Sequence, residues 1–406
     1  MIRKTTRELC AFCKGVRKLC GASVCPILVK KSLKLKPPPI SKKELDACSE
    51  WLLVGEYGYP KVRYGPLTAM SPYPWEPEEW ARKRLDFANI LRFRMMTVYP
   101  FQRKHIYKPP DVYDPLGETV ASIKPIDVEL YLKKPPKMRL RLDASIPPVG
   151  GSAPLKKIEL EENPKIPKKV ESILSDRIKA TKAVELLYRW GASIYYIEKI
   201  FSGGFLGIEE RRRVVPTRWG ITAVDSILGN AFLRDIKYSP SIENVELYHW
   251  EYLGNIYYIV LIPSDYWAME TLELWLPNSV WVKGSGKPVI FPNYEDYTGK
   301  PAKMDGGHFA IKISVLDYLK KVNRKVAVLA IRIITPRYIA PVGSWQIRES
   351  VKLALERGPI AKGELDEILD IIESRESTIR SVNVRKKSWL LKRLKIEPLD
   401  KYIASK

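Results

Sequence analysis

Apolar and polar positions along this chain recur with the spacing of both strands and helices. Residues 51–67 alternate apolar with glycine or polar positions, which predicts strands broken by tight turns, and residues 245–264 predict a hairpin turning near a Gly-Asn pair. The apolar run at 326–335 predicts a buried strand. A short strand at 128–132 precedes a segment over 133–169 that is rich in Pro, Lys and Gly, and we expect that segment to be an extended crossing within one domain.

Helical spacing appears in stretches that are scattered among these strands. The expected helices cover residues 75–95, 172–190, 346–355 and 364–374. After Gly191 a further helix is predicted at 193–201, and the pair is similar to a helix-turn-helix. The second helix is apolar and aromatic, which favours core packing over DNA reading. Because strands and helices mix without regular βαβ alternation, the predicted fold class is α+β.

Composition places the chain among globular proteins and excludes a membrane-spanning class. The 406 residues are 45% hydrophobic, and no apolar run approaches the roughly 20 residues that a spanning helix needs. The N-terminus lacks the apolar region of a secretory signal, so we expect a cytoplasmic protein whose thiols stay reduced.

Positive charge is concentrated at the two ends. The net charge is +23; residues 1–43 carry twelve Lys or Arg against one Glu, and residues 379–406 carry nine against two acidic residues. Such ends attract polyanions by releasing counterions, which points to DNA as a partner and to a nucleoid-associated location. The same charge also suits an RNA-binding or ribosome-associated protein, or a tail that only solubilises the chain.

These patterns divide the chain into five parts. The expected parts are a four-cysteine zinc module at 1–27, a basic Pro-rich linker at 28–46, an α+β core at 47–360, a helical basic segment at 361–395 and a partner-binding peptide at 396–403.

Four of the five cysteines fall within sixteen residues. Cys10, Cys13, Cys20 and Cys25 form two pairs that can direct their thiolates at one ion. Four ligands would close a tetrahedral zinc site and leave no position for a reactive water, so its role would be structural. Iron and sulfur clusters also take four cysteines, and redox cysteines stay open as a third interpretation. Cys48 is expected to be an ordinary buried thiol.

An arginine-rich stretch in the core is the candidate nucleic-acid or nucleotide site. Arg211, Arg212, Arg213 and Arg218 offer phosphate-binding groups, and Trp219 offers a stacking surface. A helix is expected to start after Thr222, where its amides would favour an anion. The alternative is a surface loop whose arginines pair with neighbouring carboxylates.

Catalytic signals are sparse, and the sequence leaves open whether the protein is an enzyme. It has three histidines far apart, and no nucleophile elbow or phosphate-binding loop. A nuclease or nucleotide-processing activity would need carboxylates to converge on a metal, for which Glu209, Glu210, Asp225 and Asp305 are the candidates.

The C-terminal residues combine apolar side chains with a basic surround. Leu399 is followed three positions later by Tyr402 and Ile403, which together would form a one-turn helical plug for a pocket on a partner. Docking back on the protein's own core is the alternative.

Several stretches together resemble the archaeal Nre family of DNA repair proteins. They are the four-cysteine N-terminus and the segments YGYPKVRYGPL, PVGGSAPLKK, VVPTRWGITAVDSILG, GGHFAIKISVLDYL and YIAPVGSWQIRESV, in that order. The resemblance implies a role in DNA damage repair, an N-terminal zinc finger and a C-terminal motif that binds the sliding clamp PCNA.

Two sets of residues carry these implied roles. The finger's ligands would be Cys10, Cys13, Cys20 and Cys25, and the clamp motif would be Ile396, Leu399, Tyr402 and Ile403. Clamp-binding peptides commonly begin with Gln, whereas this one begins with Ile396, which predicts weaker or altered docking. The resemblance implies no mechanism for Arg218 and Trp219.

Overall fold

The computed structural model describes residues 7–22, 25–32, 34, 36–70, 76–282 and 286–394. Over these ranges the chain forms two β-sheets with helices between and around them, which confirms the mixed α+β class. The helices are α1 Arg7–Cys13, α2 Pro26–Ser32, α3 Pro77–Arg82, α4 Phe87–Met95, α5 Pro115–Ala121, α6 Lys168–Ser175, α7 Ala180–Arg189, α8 Ile194–Gly203, α9 Thr217–Asp235, α10 Gly306–Val322, α11 Trp345–Arg357, α12 Leu365–Arg375, α13 Ser377–Val382, α14 Val384–Lys387 and α15 Trp389–Leu394.

The first sheet closes on itself. Its strands, in spatial order, are β3 Thr97–His105, β2 Lys61–Ala69, β1 Glu44–Val54, β4 Ile126–Leu132, β6 Val149–Leu160 and β5 Lys137–Arg141. A parallel pairing of β3 with β6 joins the two sides, so that β1, β2, β3, β6 and β4 form a five-stranded barrel. Closure leaves these strands without an open edge.

The interior of the barrel follows the strand period of two. On β2, Val62 and Tyr64 are fully buried, whereas Lys61 is exposed and Arg63 half-buried. Between β3 and β4, helix α5 packs against β1, β2 and β6. Gly65 lies where β2 passes close to β3. A Cβ at this position would stand 1.9 Å from the carbonyl oxygen of Pro100, so a larger residue does not fit. The barrel therefore depends on a close backbone approach at this glycine.

The second sheet does not close on itself, and it is covered on both faces. Its order is β10 Val289–Glu295, β9 Ala268–Trp275, β11 Val326–Ile334, β8 Asn255–Pro263, β7 Val245–Tyr252 and β12 Ala361–Gly363. The buried strand and the hairpin predicted from the sequence are β11 and the β7–β8 pair. Alternate residues of β11 join two different apolar clusters, one beneath α9 to α11 and one beneath α12 to α15.

Several predicted boundaries shift in the structure. The helix expected over 75–95 is split into α3 and α4, and the one over 172–190 into α6 and α7. The crossing segment over 133–169 contains strands β5 and β6, and α2 occupies the start of the predicted linker. Helix α8 has a fully core-facing character, since all four residues 194–197 are buried. Core packing is thus the correct interpretation of that helix.

The N-terminal cysteine segment is docked on the second sheet. Ala11 is fully buried in a cluster with Trp275, Trp281 and Tyr338, and Phe12 stacks on Phe291 at a ring distance of 6.0 Å. Helix α2 contacts β5 of the barrel. The segment therefore forms one wall of the space between the two sheets.

Candidate nucleic-acid interface

A cavity of 610 Å³ lies where the cysteine segment, the barrel and the second sheet meet. Its walls come from residues 12–17, from β9 and β11, and from the first turns of α9, α10 and α11. Among the described residues, its cationic and aromatic lining is Lys14, Arg17, Arg218, Arg332, Phe12, Trp219, Trp275, Trp281 and Tyr338. The cavity thus combines charged groups with stacking surfaces.

Arg332 reaches the cavity from the apolar strand β11 and is held on two sides. It donates to Glu273 at 2.8 Å, and its Nε and Nη2 donate to Asn255 Oδ1 at 3.1 and 2.8 Å. Lys14 forms ion pairs with Glu273 at 2.6 Å and with Asp305 at 2.9 Å. Burial opposes charge on Lys14, yet Asp305 and Glu273 outweigh it and raise the pKa of the ammonium. Burial likewise opposes charge on Asp305, but Lys14 holds its pKa well below the ordinary value.

The other two cations differ in how they are paired. Arg218 Nη1 donates to Glu56 at 3.1 Å and Nη2 donates to Asp143. Burial disfavours its charge, but the two carboxylates raise its pKa. Arg17 stands 4.0 Å from the centre of the Phe12 ring and donates to two main-chain carbonyl oxygens at 3.0 and 2.8 Å. Within the described residues Arg17 forms no close ion pair, although its charge also acts on Asp305. The four cations are balanced by the four carboxylates Glu56, Asp143, Glu273 and Asp305.

Two buried donors on the cavity wall lack a hydrogen-bond partner. Arg332 donates to Asn255 Oδ1 and so fixes the orientation of the Asn255 amide. The amide nitrogen therefore faces Gln346 and donates to its Oε1 at 3.4 Å. Tyr257 donates to the same oxygen at 2.8 Å. Gln346 is 0% exposed, and its Nε2 has no partner; Trp275 is 1% exposed, and its Nε1 has none either. Buried donors are normally satisfied, so these two side chains keep unused hydrogen-bonding capacity beside the cavity.

Helix N-termini add further donors. Helix α9 begins after Pro216 and α11 after Ser344, and neither has a side-chain cap, whereas Asp305 caps α10 by accepting from the amide of Gly307 at 2.7 Å. The first amides of a helix have no partner within it and carry a partial positive charge. Two long helices therefore turn uncapped ends toward the cavity.

The cavity opens beside the loop that joins β1 to β2. The side-chain oxygen of Thr217 accepts from the amide of Val54 at 2.8 Å, which ties the start of α9 to the end of β1. Trp219 is 48% exposed and meets Tyr59 of the loop with their ring centres 5.6 Å apart. Tyr57 on the same loop is 79% exposed. The loop thus presents an aromatic surface at the cavity mouth.

The barrel face next to this loop pairs arginines with aromatic rings. The guanidinium of Arg63 on β2 lies 4.3 Å from the centre of the Phe101 ring on β3. On β5, which pairs with β6, Arg141 lies 5.5 Å from the Tyr99 ring of β3. Lys61 and Arg103 on the same two strands are exposed. Tyr99 is 1% exposed and Phe101 is half-buried, so this face offers mainly cations, which suit the phosphates of a single strand.

The arginines predicted from the sequence do not form one group. Arg218 and Trp219 belong to the cavity, but helix α9 starts at Thr217, so the predicted cap Thr222 lies inside the helix. Arg211 is exposed on a short 3₁₀ turn, and Arg213 stands 4.7 Å from the Tyr107 ring. Arg212 donates to two main-chain carbonyl oxygens, so its role is at least partly structural.

The candidate carboxylates also lie apart. Asp305 lines the cavity, whereas Glu209 and Glu210 are exposed on the 3₁₀ turn. Asp225 is buried in an ion pair with Arg348 at 2.6 Å. These four side chains do not share a cleft, and they offer no common metal position.

All four clustered cysteines line one small cavity. The space is 160 Å³, and Trp281 lies against it. Burial raises the pKa of the Cys25 thiol, and the nearby Cys13 and Cys10 add to the shift. Among the residues that the structure describes, no set of three or more His, Cys, Asp or Glu side chains is arranged as metal ligands. The thiols share a cavity, as a four-ligand site requires, and Cys48 lies apart from them on β1.

Other predicted and missed residues complete this description. The clamp motif residues Ile396, Leu399, Tyr402 and Ile403 lie outside the described residues. Sequence reasoning missed Arg332, Trp275 and Gln346. For Arg332 a signal existed, since it is a lone charge within a nine-residue apolar strand.

In the part of the chain that the structure covers, none of the helices combines the length and apolar character needed to cross a bilayer.

Two family models match: archaeal Nre, N-terminal, over residues 19–282, and archaeal Nre, C-terminal, over residues 293–402. No solved structure gives a significant match.

Curated relatives match over most of their length. DNA repair protein NreA of Archaeoglobus fulgidus is 36% identical over 384 residues, which is 94% of this chain and 95% of that protein. DNA repair protein NreB of the same organism is 31% identical over 353 residues, covering 84% and 87%. DNA repair protein NreA of Haloferax volcanii is 36% identical over 372 residues, covering 86% of each.

Proposed function

The chain belongs to the archaeal Nre family, and from that premise we propose that it acts in DNA repair by binding single-stranded DNA on its barrel. The relatives named above are DNA repair proteins. The observation that carries the proposal is the strand order of the barrel, together with the rings and cations on the face that this order exposes. A location on the nucleoid would follow from such binding.

The barrel has the connectivity of an OB-fold. Its five strands close in the order β1, β2, β3, β6, β4, with β3 parallel to β6 and helix α5 between the third and fourth barrel strands. OB-folds bind oligonucleotides on the face of their second and third strands and on the loops that flank it. Fold likeness alone is an analogy. Here the chemistry of the same face agrees with it.

The flanking loops are aromatic and basic. Tyr57 and Tyr59 lie on the loop between the first two strands, and Arg63 and Arg103 lie on the second and third. The connection from β4 to β6, residues 133–148, carries five Lys or Arg against one Asp. Bases would stack on the rings, and phosphates would meet the cations, without reading sequence.

Binding is tested by fluorescence anisotropy with a labelled twelve-nucleotide single strand at fixed salt. Tyr57→Ala should weaken binding by about 5- to 150-fold, since stacking of one base contributes about 1–3 kcal/mol. Tyr238→Ala is the matched control, because that tyrosine is 87% exposed at the far end of α9. Equal affinities of the two variants would refute the proposed surface.

Duplex DNA and structured RNA are measured beside the single strand. The OB-type face predicts a preference for single-stranded DNA over duplex DNA at equal salt, since stacking on Tyr57 needs unpaired bases. Tighter binding of structured RNA would favour the ribosome-associated alternative instead.

We further propose that the C-terminal peptide recruits the protein to the PCNA clamp. Leu399, Tyr402 and Ile403 would fill a hydrophobic pocket on the clamp, and clamp binding would raise the local concentration of the barrel on DNA. Tyr402→Ala should abolish retention by immobilised clamp while leaving single-strand binding unchanged, and Lys401→Ala should leave both intact. Retention of the Tyr402 variant would refute the motif.

We also propose one structural zinc ion at the cysteine cluster. The shared cavity supplies four thiolate donors, the set that zinc takes in closed sites, and zinc would brace the segment that walls the larger cavity. Elemental analysis should find about one zinc per chain. Cys20→Ser should lose the metal, and Cys48→Ser should retain it. If the analysis finds iron and the protein absorbs visible light, the zinc proposal is wrong and the site holds an iron–sulfur cluster.

A further inference from the structure

We propose that the 610 Å³ cavity receives a single nucleobase, extruded from the strand bound to the barrel. This inference rests on the proposed function, because it takes the bound strand as the source of the base. The cavity volume falls within the range of about 300–1,000 Å³ that is usual for small-molecule sites.

The unsatisfied groups on the wall match the edge of a base. Gln346 Nε2 and Trp275 Nε1 are buried donors without acceptors. The edges of bases carry acceptors, so a base could accept from both donors.

The charge balance favours a base with at most one phosphate. Lys14, Arg218 and Arg332 each have a carboxylate within ion-pair distance, whereas Arg17 has none among the described residues and acts on Asp305 only from further away. A polyphosphate would have to displace those carboxylates or lie among them. A neutral base adds no charge, and the phosphate that follows it would find Arg17 or an uncapped helix end.

Aromatic side chains provide the stacking surface for the base. Trp219, Trp275, Trp281 and Tyr338 line the cavity and offer ring faces on which a base could stack. Enzymes and sensors that act on a base read it through its hydrogen-bonding edge while stacking its faces, which is the combination found here.

The route from the strand to the cavity runs through one loop. Glu56, which lines the cavity, is next to Tyr57, which is exposed on the proposed strand-binding surface. Trp219 also belongs to both, since it lines the cavity and contacts Tyr59. A DNA strand that stacks on Tyr57 is therefore bound next to Glu56, at the mouth of the cavity.

The experiment places 2-aminopurine, a fluorescent base, at one position of a twelve-nucleotide single strand. Acrylamide quenches the probe by collision, so a base inside the cavity is protected. Bound to the wild-type protein, the probe should be several-fold less quenched than when bound to Ala223→Trp, because a flipped base is enclosed by its pocket. Ala223 lines the cavity on α9, and a tryptophan there would fill the space. Asn230→Trp, on an exposed position of the same helix, is the matched control and should protect like the wild type.

Two further arms separate the possible outcomes. Free 2-aminopurine deoxynucleoside monophosphate tests the source: protection of the oligonucleotide alone supports an extruded base, and protection of the monophosphate alone would overturn extrusion in favour of a free nucleotide. Oligonucleotide that binds with equal quenching in all proteins would overturn the base pocket while leaving the proposed single-strand surface intact. Oligonucleotide that does not bind would refute the proposed function instead. Ser226→Leu, a smaller filling change on the same wall, replaces Ala223→Trp if that variant fails to fold.

Discussion

Lys14 joins the cysteine segment to the core through ion pairs. Removing its charge should weaken the docking of the segment. Its ammonium lies 2.6 Å from Glu273 on β9 and 2.9 Å from Asp305 at the start of α10. The three side chains are 16%, 6% and 22% exposed, so the pairs are mostly shielded from solvent. Lys14→Met keeps the length of the side chain and removes the charge.

The expected cost follows from what remains around the two carboxylates. Breaking a buried ion pair by removing one partner costs about 3–5 kcal/mol. Glu273 keeps Arg332 at 2.8 Å, and Asp305 keeps its bond from the Gly307 amide at 2.7 Å, so neither carboxylate is fully orphaned. We therefore expect about 2–3 kcal/mol. The loss should fall on docking of the segment, since the apolar clusters of both sheets are unchanged.

Hydrogen exchange of the α1 amides measures this docking directly. A loss of 2–3 kcal/mol corresponds to about 30- to 150-fold faster exchange over α1 when exchange follows local opening. Amides of β11, in the centre of the second sheet, should keep their wild-type rates. Lys18→Met is the matched control, because Lys18 is exposed on the same segment. If α1 exchanges equally fast in both variants, the ion pairs do not hold the segment.

Three further predictions concern the scaffold. Gly65→Ala should destabilise the protein to urea by about 1–3 kcal/mol and weaken single-strand binding, because the new Cβ collides with Pro100 in the barrel. Arg348→Met should cost about 3–5 kcal/mol in the same assay, since Asp225 would stay buried without its partner. Burial lowers the pKa of Lys199 to about 7, so the unfolded chain binds more protons than the folded one above that pH. Its contribution therefore makes stability rise between pH 7 and the ordinary lysine value, and Lys199→Met should remove that rise and add about 2–4 kcal/mol at pH 7; an unchanged pH profile would contradict the assignment.

Local patterns in the sequence identified elements whose burial is uniform or strictly periodic. The run at 326–335 became the central strand β11, and the hairpin at 245–264 became β7 and β8, with the turn at Leu253 and Gly254, both at positive φ. The predicted boundaries of helices were wrong where contacts between residues far apart in the sequence determine where an element begins. Helix α9 begins early because Thr217 is tied to the end of β1, a contact between residues 163 positions apart.

Sequence alone determined the α+β class, the Nre resemblance, the four grouped cysteines, and Arg218 with Trp219 as candidates for binding. These depend on residue type and short-range spacing, which a chain displays without being folded. Only the tertiary structure decided that β3 pairs with β6 and closes the barrel, and that Arg332, Gln346 and Trp275 meet Lys14 around one cavity. Such contacts join residues that are far apart in the sequence, and they arise from the packing of whole sheets, which no local pattern encodes.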